Sequence, residues 1–344
     1  MTKVKVAIVG ATGAVGTKIL EKLIERNFPA SSIKLLASKR SAGVEISTGG
    51  QNFIVEETVP ESFTGIDIAF FSAGGNISKM FVQEAVTRGA VVIDNTSAFR
   101  MIDDIPLVVP EVNPEALEGH KGIIANPNCS TIQMVAALKP IREKLGLKRI
   151  IVSTYQAVSG AGIEAINELE NQSSKFESRA TNEASLLPTG AGEKFFPIAF
   201  NAIPQIDTFD SSGYTLEELK MINETKKIFN DQELHVSATC VRIPVVSGHS
   251  ESVYFEIDKD DVTVADIKAL VENAPGIVLQ DDPSQQLYPM PVLAEGEDAV
   301  FVGRIRKDPD HPAGFHMWVV TDNLLKGAAL NSVQIAECLI NEKG

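Results

Sequence analysis

The stretch VKVAIVGATGAVG (residues 4–16) decides the fold. Its first half, VKVAIVG (4–10), is an apolar run of the kind expected of a parallel strand buried on both faces. The segment GAVGTKILEKLIERN (13–27) then places Val15, Ile19, Leu20, Leu23 and Ile24 on one helical face. Between strand and helix stand Gly10, Gly13 and Gly16, which allow a tight turn and close backbone approach. The unpaired N–H groups at the start of such a helix suit a pyrophosphate. A plain βα turn also uses glycine, so the trio points to a dinucleotide only through its place at the head of a repeating strand–helix pattern.

That pattern continues. IKLLAS (33–38), IDIAFFS (66–72) and VVIDN (91–95) read as strands, SKMFVQEAVTRG (78–89) as a helix, and GIIAN (122–126) as a strand leading into a helix near Cys129. Repeated units of this kind predict an N-terminal doubly wound, Rossmann-type parallel sheet. The second strand selects the dinucleotide. A site for NAD usually ends this strand in a carboxylate, but here Ser38, Lys39, Arg40 and Ser41 stand in that place. Cations and hydroxyls suit a 2′-phosphate, so the expected cofactor is NADP(H). Ser72, at the end of another strand, is a further candidate contact.

After Leu147 the texture changes to long strands, RIIVSTYQAVSGAG (149–162), LHVSATCVRIPV (234–245), ESVYFEID (251–258) and AVFVGRIRKD (299–308), with helices gathered between them. This predicts an α+β domain with a mixed sheet, one face of which a second subunit could cover. The domains are expected at 1–128 and 129–322, with the C-terminal segment 323–344, including the apolar helix 326–341, returning to the first domain.

The 344 residues carry 44% hydrophobic and 22% charged residues, an ordinary globular composition. A formal net charge of −14 argues against nucleic acid or an anionic membrane as partner. No apolar run approaches the roughly 20 residues needed to span a bilayer. The opening MTKVKVAIVG lacks signal-peptide anatomy, and three cysteines without a CxxC pair indicate neither a disulfide framework nor a metal site. A reduced, cytoplasmic, soluble protein is the expectation.

Of those cysteines, Cys240 lies within strand residues and Cys338 on the apolar C-terminal helix, so both read as core. Cys129, in ANPNCST at a helix threshold, is different. A thiol in a first helical turn feels the positive helix end, which can lower its pKa by about one to several units from about 8.5. At the carboxyl edge of a nicotinamide-binding sheet it becomes a candidate nucleophile. A thiolate there adds to an aldehyde, hydride passes to NADP⁺, and an acyl-thioester remains. That chemistry needs a base. Of five histidines, His249 in VRIPVVSGHSES stands out, after a glycine and before a strand. Arg100, Arg242 and Lys220 are candidate cations for the substrate, although Glu217 and Lys220 could equally be an i, i+3 surface pair. Gln156, in YQAVSGAG, could orient a carbonyl or amino group, or simply be structural.

VGATGAVG, DNTSAFR, NPNCST, YQAVSGAG, EE-x-K, VRIPVVSGHSES and TDNL-x-KGAA, in that order, resemble the aspartate-β-semialdehyde dehydrogenases, in the form found in many Gram-positive bacteria. The two-domain plan also resembles N-acetylglutamyl-phosphate reductase and, more distantly, glyceraldehyde-3-phosphate dehydrogenase. The first resemblance implies Cys129 as acyl-thioester nucleophile, His249 as acid/base and Gln156 as the group that orients the substrate. It further implies Arg242 for the substrate carboxylate and Glu217 for its amino group, with Glu218 adjacent as a register alternative. Arg100, Lys220 and Asn128 would bind phosphate. Gly10, Thr12, Gly13, Ala14, Val15, Ser38, Arg40, Ser41, Ser72, Ser159, Gly160 and Asn323 would contact NADP, and the enzyme would be a homodimer. An N-acetylglutamyl substrate has no free ammonium, so Glu217 is the discriminating residue. A catalytically silent NADP-binding regulator is the reading from another class, and retention of the cysteine, histidine and both arginines argues against it.

Overall fold

A computed structural model of the chain describes residues 3–179, 181–188 and 192–342. Its contacts divide it into two compact units, Met1–Asn128 with Ala328–Gly344, and Cys129–Gly327. No described helix is long and apolar enough to cross a membrane.

The first unit holds β1 (Val4–Val9), β2 (Ala30–Ala37), β3 (Glu45–Thr48), β4 (Gln51–Glu57), β5 (Ile68–Phe71), β6 (Val91–Asp94) and β7 (Ile123–Ala125). They form a 7-stranded sheet in the order β3-β4-β2-β1-β5-β6-β7, parallel throughout except for the β3–β4 hairpin. Helix α1 (Ala14–Glu25) and the closing helix (Leu330–Glu342) cover one face, and α2 (Gly75–Thr87) lies on the other. The period-2 geometry of a strand explains why β1 is apolar at successive positions. Val6 and Ile8 enter the core with Ile19, Leu20, Val333 and Leu339, while Ala7 and Val9 enter the opposite core with Phe71, Val82 and Ala85.

The hairpin escapes a search for strand–helix units, yet it has a local signal. Gly49 and Gly50 take positive φ (57° and 74°) between two short polar–apolar runs, the Gly-Gly form of a tight hairpin turn.

The second unit carries a 6-stranded mixed sheet in the order β11-β12-β13-β10-β8-β9. Its strands are β8 (Arg149–Gln156), β9 (His235–Arg242), β10 (His249–Glu256), β11 (Ile277–Leu279), β12 (Val300–Lys307) and β13 (Gly314–Thr321). Helices α3 (Cys129–Leu145), α5 (Leu216–Ile228) and α6 (Val264–Glu272) pack against one face, and α4 (Ile163–Ser173) and the short α7 (Pro291–Ala294) lie in the connections. On β8 the residues Ile150, Val152, Thr154 and Gln156 are buried, whereas Ile151 is 43% exposed and Ser153 and Tyr155 are half-buried. This second face also carries Tyr254 and Trp318, the latter 5.5 Å from Tyr155 between ring centroids.

The chain returns to the first unit at Ala328 rather than at 323. Asn323 stays behind because its side chain bonds Ser159 and the Gly248 amide, and Asp322 because it accepts from the Gly296 amide. The closing helix then starts through a π-helical turn, Leu325–Ala329, which an apolar periodicity does not reveal.

Gly16 is indispensable for a steric reason that its ordinary φ conceals. A Cβ there would lie 2.1 Å from the Gly10 carbonyl oxygen, so α1 could not seat on its turn. Gly16→Ala should cost about 1–3 kcal/mol, the usual range for overpacking. Urea unfolding would check this, and an unchanged midpoint would refute it.

Candidate active site

In the first unit, α1 starts at Ala14 with Gly13 as its N-cap and no acidic residue in the first turn. Gly10 has φ +88°, and a Cβ on it would meet the Ala73 amide nitrogen at 2.9 Å, so the turn passes close to the end of β5. The Ser72 hydroxyl donates to the Val9 carbonyl (3.1 Å), tying the ends of β5 and β1 together. Thr12 is exposed, and Ala14 and Val15 are half-buried. Beyond β2, the 3₁₀ turn Lys39–Ser41 follows Ser38, and Ser38, Lys39 and Arg40 are exposed with no carboxylate among them. This backbone cradle, free of acid and with cations at the end of β2, fits a dinucleotide bearing a 2′-phosphate. Arg100 is buried in the same unit, its Nε donating to the Asn126 carbonyl (2.9 Å) and Nη2 to that of Asn95 (2.8 Å). Asn128 is buried there too.

The second unit gathers residues far apart in the chain at one sheet edge. Strand β8 runs parallel to β9, which pairs Gln156 with Arg242 at their ends. Strand β10 is antiparallel to β8, so its first residue, His249, falls at the same edge. Helix α5, packed on β9, contributes Glu217 and Lys220. The Gln156 Nε2 donates to Glu217 Oε1 (3.1 Å) and lies 3.4 Å from His249 Nε2. Lys220 bridges Glu217 (3.1 Å) and Asp207 (3.0 Å). Cys129 opens α3 and is half-buried, and the Arg242 guanidinium is close enough to interact with its charge.

Ala157 fastens this group through its backbone. Its N–H donates to His249 Nδ1 (3.1 Å), and its carbonyl accepts from Arg242 Nη1 (2.6 Å). The imidazole therefore turns Nε2 toward Gln156. Gly160 lies over both groups: a Cβ there would be 3.1 Å from Arg242 Nη1 and 3.3 Å from the imidazole. Its turn is pinned by Ser159, whose hydroxyl exchanges hydrogen bonds with the Asn323 amide (3.0 and 3.2 Å), while Asn323 also accepts from Gly248 N–H. Ser159 and Asn323 thus act within their own unit as struts of the 158–161 turn. Gly327 abuts Cys129, since a Cβ on it would come within 2.8 Å of Cys129 Cβ.

The two adjacent glutamates separate cleanly. Glu218 closes a capping box with Thr215 and accepts from the Cys240 amide (3.0 Å), so its carboxylate is spent on the helix start and the β9 backbone. Glu217 is the one that joins Gln156 and Lys220. Cys240 is buried, and burial pushes its thiol far above the ordinary range, which leaves it inert.

Burial lowers the pKa of His249 to about 3, with the Arg242 charge adding to the effect and Glu217 opposing it. The imidazole is therefore neutral at pH 7, and Arg242 is the buried cation that interacts with Cys129. Burial also lowers the pKa of Arg242, opposed by Glu217 and Cys129, and its Nε has no hydrogen-bond partner among the described residues. For Lys220 burial would lower the pKa, but Glu217 and Asp207 together raise it above the ordinary value. Ala157, Gly327 and Asp207 carry no signal as isolated residues; a small residue beside a motif says nothing of its backbone bonds.

A glycine cradle thus lies in one unit, and a half-buried thiol, a buried guanidinium and a buried imidazole lie in the other. Residues 5–120 match the family described as "Semialdehyde dehydrogenase, NAD binding domain", and 138–326 that described as "Semialdehyde dehydrogenase, dimerisation domain". The chain is 63% identical to the aspartate-semialdehyde dehydrogenase of Bacillus subtilis (strain 168), over 97% of this chain and 96% of that one. Its fold matches the crystal structure of Vibrio cholerae aspartate semialdehyde dehydrogenase II complexed with ASA (TM-score 0.93, 47% identity, 99% of both chains). It also matches the Candida albicans enzyme with NADP (TM-score 0.75, 27% identity, 98% of both chains). The chain belongs to the aspartate-semialdehyde dehydrogenase family.

The depressed His249 pKa has a thermodynamic consequence. Between about 3 and the ordinary 6.5 the unfolded chain binds the extra proton more readily, so this contribution to stability is intact above 6.5 and is lost as pH falls. His249→Gln should flatten the decline between pH 6 and 4 by up to about 1.4 kcal/mol per pH unit. Urea unfolding of both proteins at several pH values measures the two slopes, and equal slopes would mean a solvated imidazole.

Proposed function

We propose that the chain catalyses the reversible, NADPH-dependent reductive dephosphorylation of L-aspartyl 4-phosphate to L-aspartate 4-semialdehyde. This step serves the biosynthesis of lysine and diaminopimelate, threonine, methionine and isoleucine, and a free nucleophilic thiol suits the reduced cytoplasm. The observation that carries the proposal is the cluster at the β8–β9–β10 edge. It offers a guanidinium with an unpartnered Nε, a carboxylate held by Gln156 and Lys220, and a thiol at a helix start.

That inventory mirrors the substrate. Arg242 presents a fork for the α-carboxylate, and Glu217 an anion for the ammonium. Lys220, held charged by Glu217 and Asp207, suits the phosphoryl oxygens, and the family resemblance assigns Arg100 and Asn128 the same task. The Cys129 thiolate attacks the acyl phosphate carbon and expels phosphate, leaving an acyl-thioester. Backbone N–H groups at the start of α3 are the proposed donors to the oxygen that becomes negative in that step. When bound, NADPH supplies the hydride that reduces the thioester carbon. His249 Nε2, which carries the ring proton because Nδ1 accepts from Ala157, donates a hydrogen bond to the resulting oxyanion, and as the acid/base passes a proton to it only in exchange for one from solvent. Collapse of the oxyanion re-forms the carbonyl and expels the Cys129 thiolate, any proton on the oxygen returning to solvent by the same route. In the first unit, Gly10, Thr12, Gly13, Ala14, Val15 and Ser72 form the pyrophosphate side of the cradle, and Ser38, Arg40 and Ser41 the 2′-phosphate side.

The test is NADP⁺- and phosphate-dependent oxidation of L-aspartate semialdehyde. Cys129→Ala should abolish turnover with NADP binding nearly intact, and Arg40→Ala should raise the KM for NADPH far more than that for NADH. Lost cofactor affinity in the first variant, or an equal loss for both nucleotides in the second, would refute these assignments.

A second copy of the chain is the proposed cover for the face bearing Ile151, Tyr155, Tyr254 and Trp318. Sedimentation should find a species of twice the chain mass, and Ile151→Asp should shift it to monomer; a wild-type monomer at micromolar concentration would contradict this.

A further inference from the structure

Behind the reacting groups lies a second polar layer drawn from the same elements. Gln133 follows Cys129 by one turn of α3, Glu251 follows His249 by two residues on β10, and Thr154 precedes Gln156 by two on β8. Spacings of four in a helix and two in a strand keep each residue on the face of its reacting neighbour. All three are fully buried. In register Thr154 stands between Glu251 of β10 and Cys240 of β9. Neither carboxyl oxygen of Glu251 and neither amide atom of Gln133 has a hydrogen bond of ordinary geometry. Buried polar groups in that state are costly, and none of the three touches substrate in the mechanism above.

The Thr154 hydroxyl links this layer to the site. It donates to Gln156 Oε1 at 2.9 Å, while the other end of the same amide donates to Glu217 at 3.1 Å. The amide is held at both ends. Turned over, it would set its carbonyl against the Glu217 carboxylate and its NH₂ against the hydroxyl. Having given its proton to Gln156, the Thr154 oxygen can only accept, and Glu251 and Cys240 are its register neighbours. Burial pushes the Glu251 carboxyl well above the usual carboxylate range, against the opposing pull of Gln133.

We propose that Thr154 is a positioning residue that fixes the Gln156 amide with its N–H side toward Glu217 and the substrate beside His249. The proposal rests on Gln156 orienting the substrate, and the experiment separates the two. Steady-state kinetics with L-aspartate semialdehyde, phosphate and NADP⁺ are compared for wild type, Thr154→Val, Thr154→Ser, Gln156→Ala and the double variant Gln156→Ala/Thr154→Val. Thr154→Val, which keeps shape and loses the hydroxyl, should lower kcat/KM about tenfold or more, as for an orphaned buried acceptor. Thr154→Ser should restore most of it. In the Gln156→Ala background Thr154→Val should change kcat/KM by less than about twofold, because the group it positions is gone. NADPH binding should be unchanged throughout. An equal penalty in both backgrounds, or wild-type activity in Thr154→Val beside an impaired Gln156→Ala, overturns the positioning role. Wild-type activity in Gln156→Ala overturns the role of Gln156 itself. Should Thr154→Val not melt cooperatively, Thr154→Ala takes its place in the same comparisons.

Discussion

The β8–β9–β10 edge depends on one residue's backbone. Ala157 gives its N–H to His249 and its carbonyl to Arg242, so a single residue sets the position of an imidazole and a guanidinium from two other strands. Neither group could reach its place by chain continuity, since β9 and β10 are separated from β8 by long connections. The mixed topology supplies the convergence. A parallel β8–β9 pair and an antiparallel β8–β10 pair bring two strand ends and one strand start to the same edge.

That geometry sets the electrostatics. Burial, with the Arg242 cation beside it, keeps the imidazole neutral, and Arg242 rather than the ring is the positive charge felt at Cys129. The enzyme binds anions while carrying a net charge of −14. It does so with few cations, of which Arg100 and Arg242 are buried, where a charge is felt most strongly. Arg242 and Lys220 are held charged or aimed by carboxylates and backbone oxygens from α5, the segment before it that carries Asp207, and the turn after β8. Gly160 and Gly327 do the opposite task, leaving space where a single methyl group would press on Arg242, His249 or Cys129.

Much of the fold was legible because it rests on periodicity. The apolar β1, the face of α1 and the run of strand–helix units needed no partner to be recognised, and the absence of a carboxylate after β2 spoke for NADP(H). The hairpin at Gly49–Gly50 passed unnoticed because its strands are short and half-exposed, although its turn carries a local signature. The return point at Ala328 depended on the hydrogen bonds of Asp322 and Asn323 to residues far away in the chain, which no composition shift announces. Glu217 and Glu218 were indistinguishable as neighbours. Only the capping box and the Cys240 amide show which of them is already committed.

By itself, then, the sequence determined the kind of chemistry: a thiol at a helix start, a histidine, cations for an anionic substrate and a glycine turn for a dinucleotide are properties of residue type and local spacing. The tertiary structure decided the state and aim of those groups. Charge state depends on burial and on neighbours brought in from other strands, as the neutral His249 beside Arg242 shows. Aim depends on hydrogen bonds closed across the sheet, as the Gln156 amide clamped between Thr154 and Glu217 shows. Both are through-space quantities, and they exist only once the chain has folded.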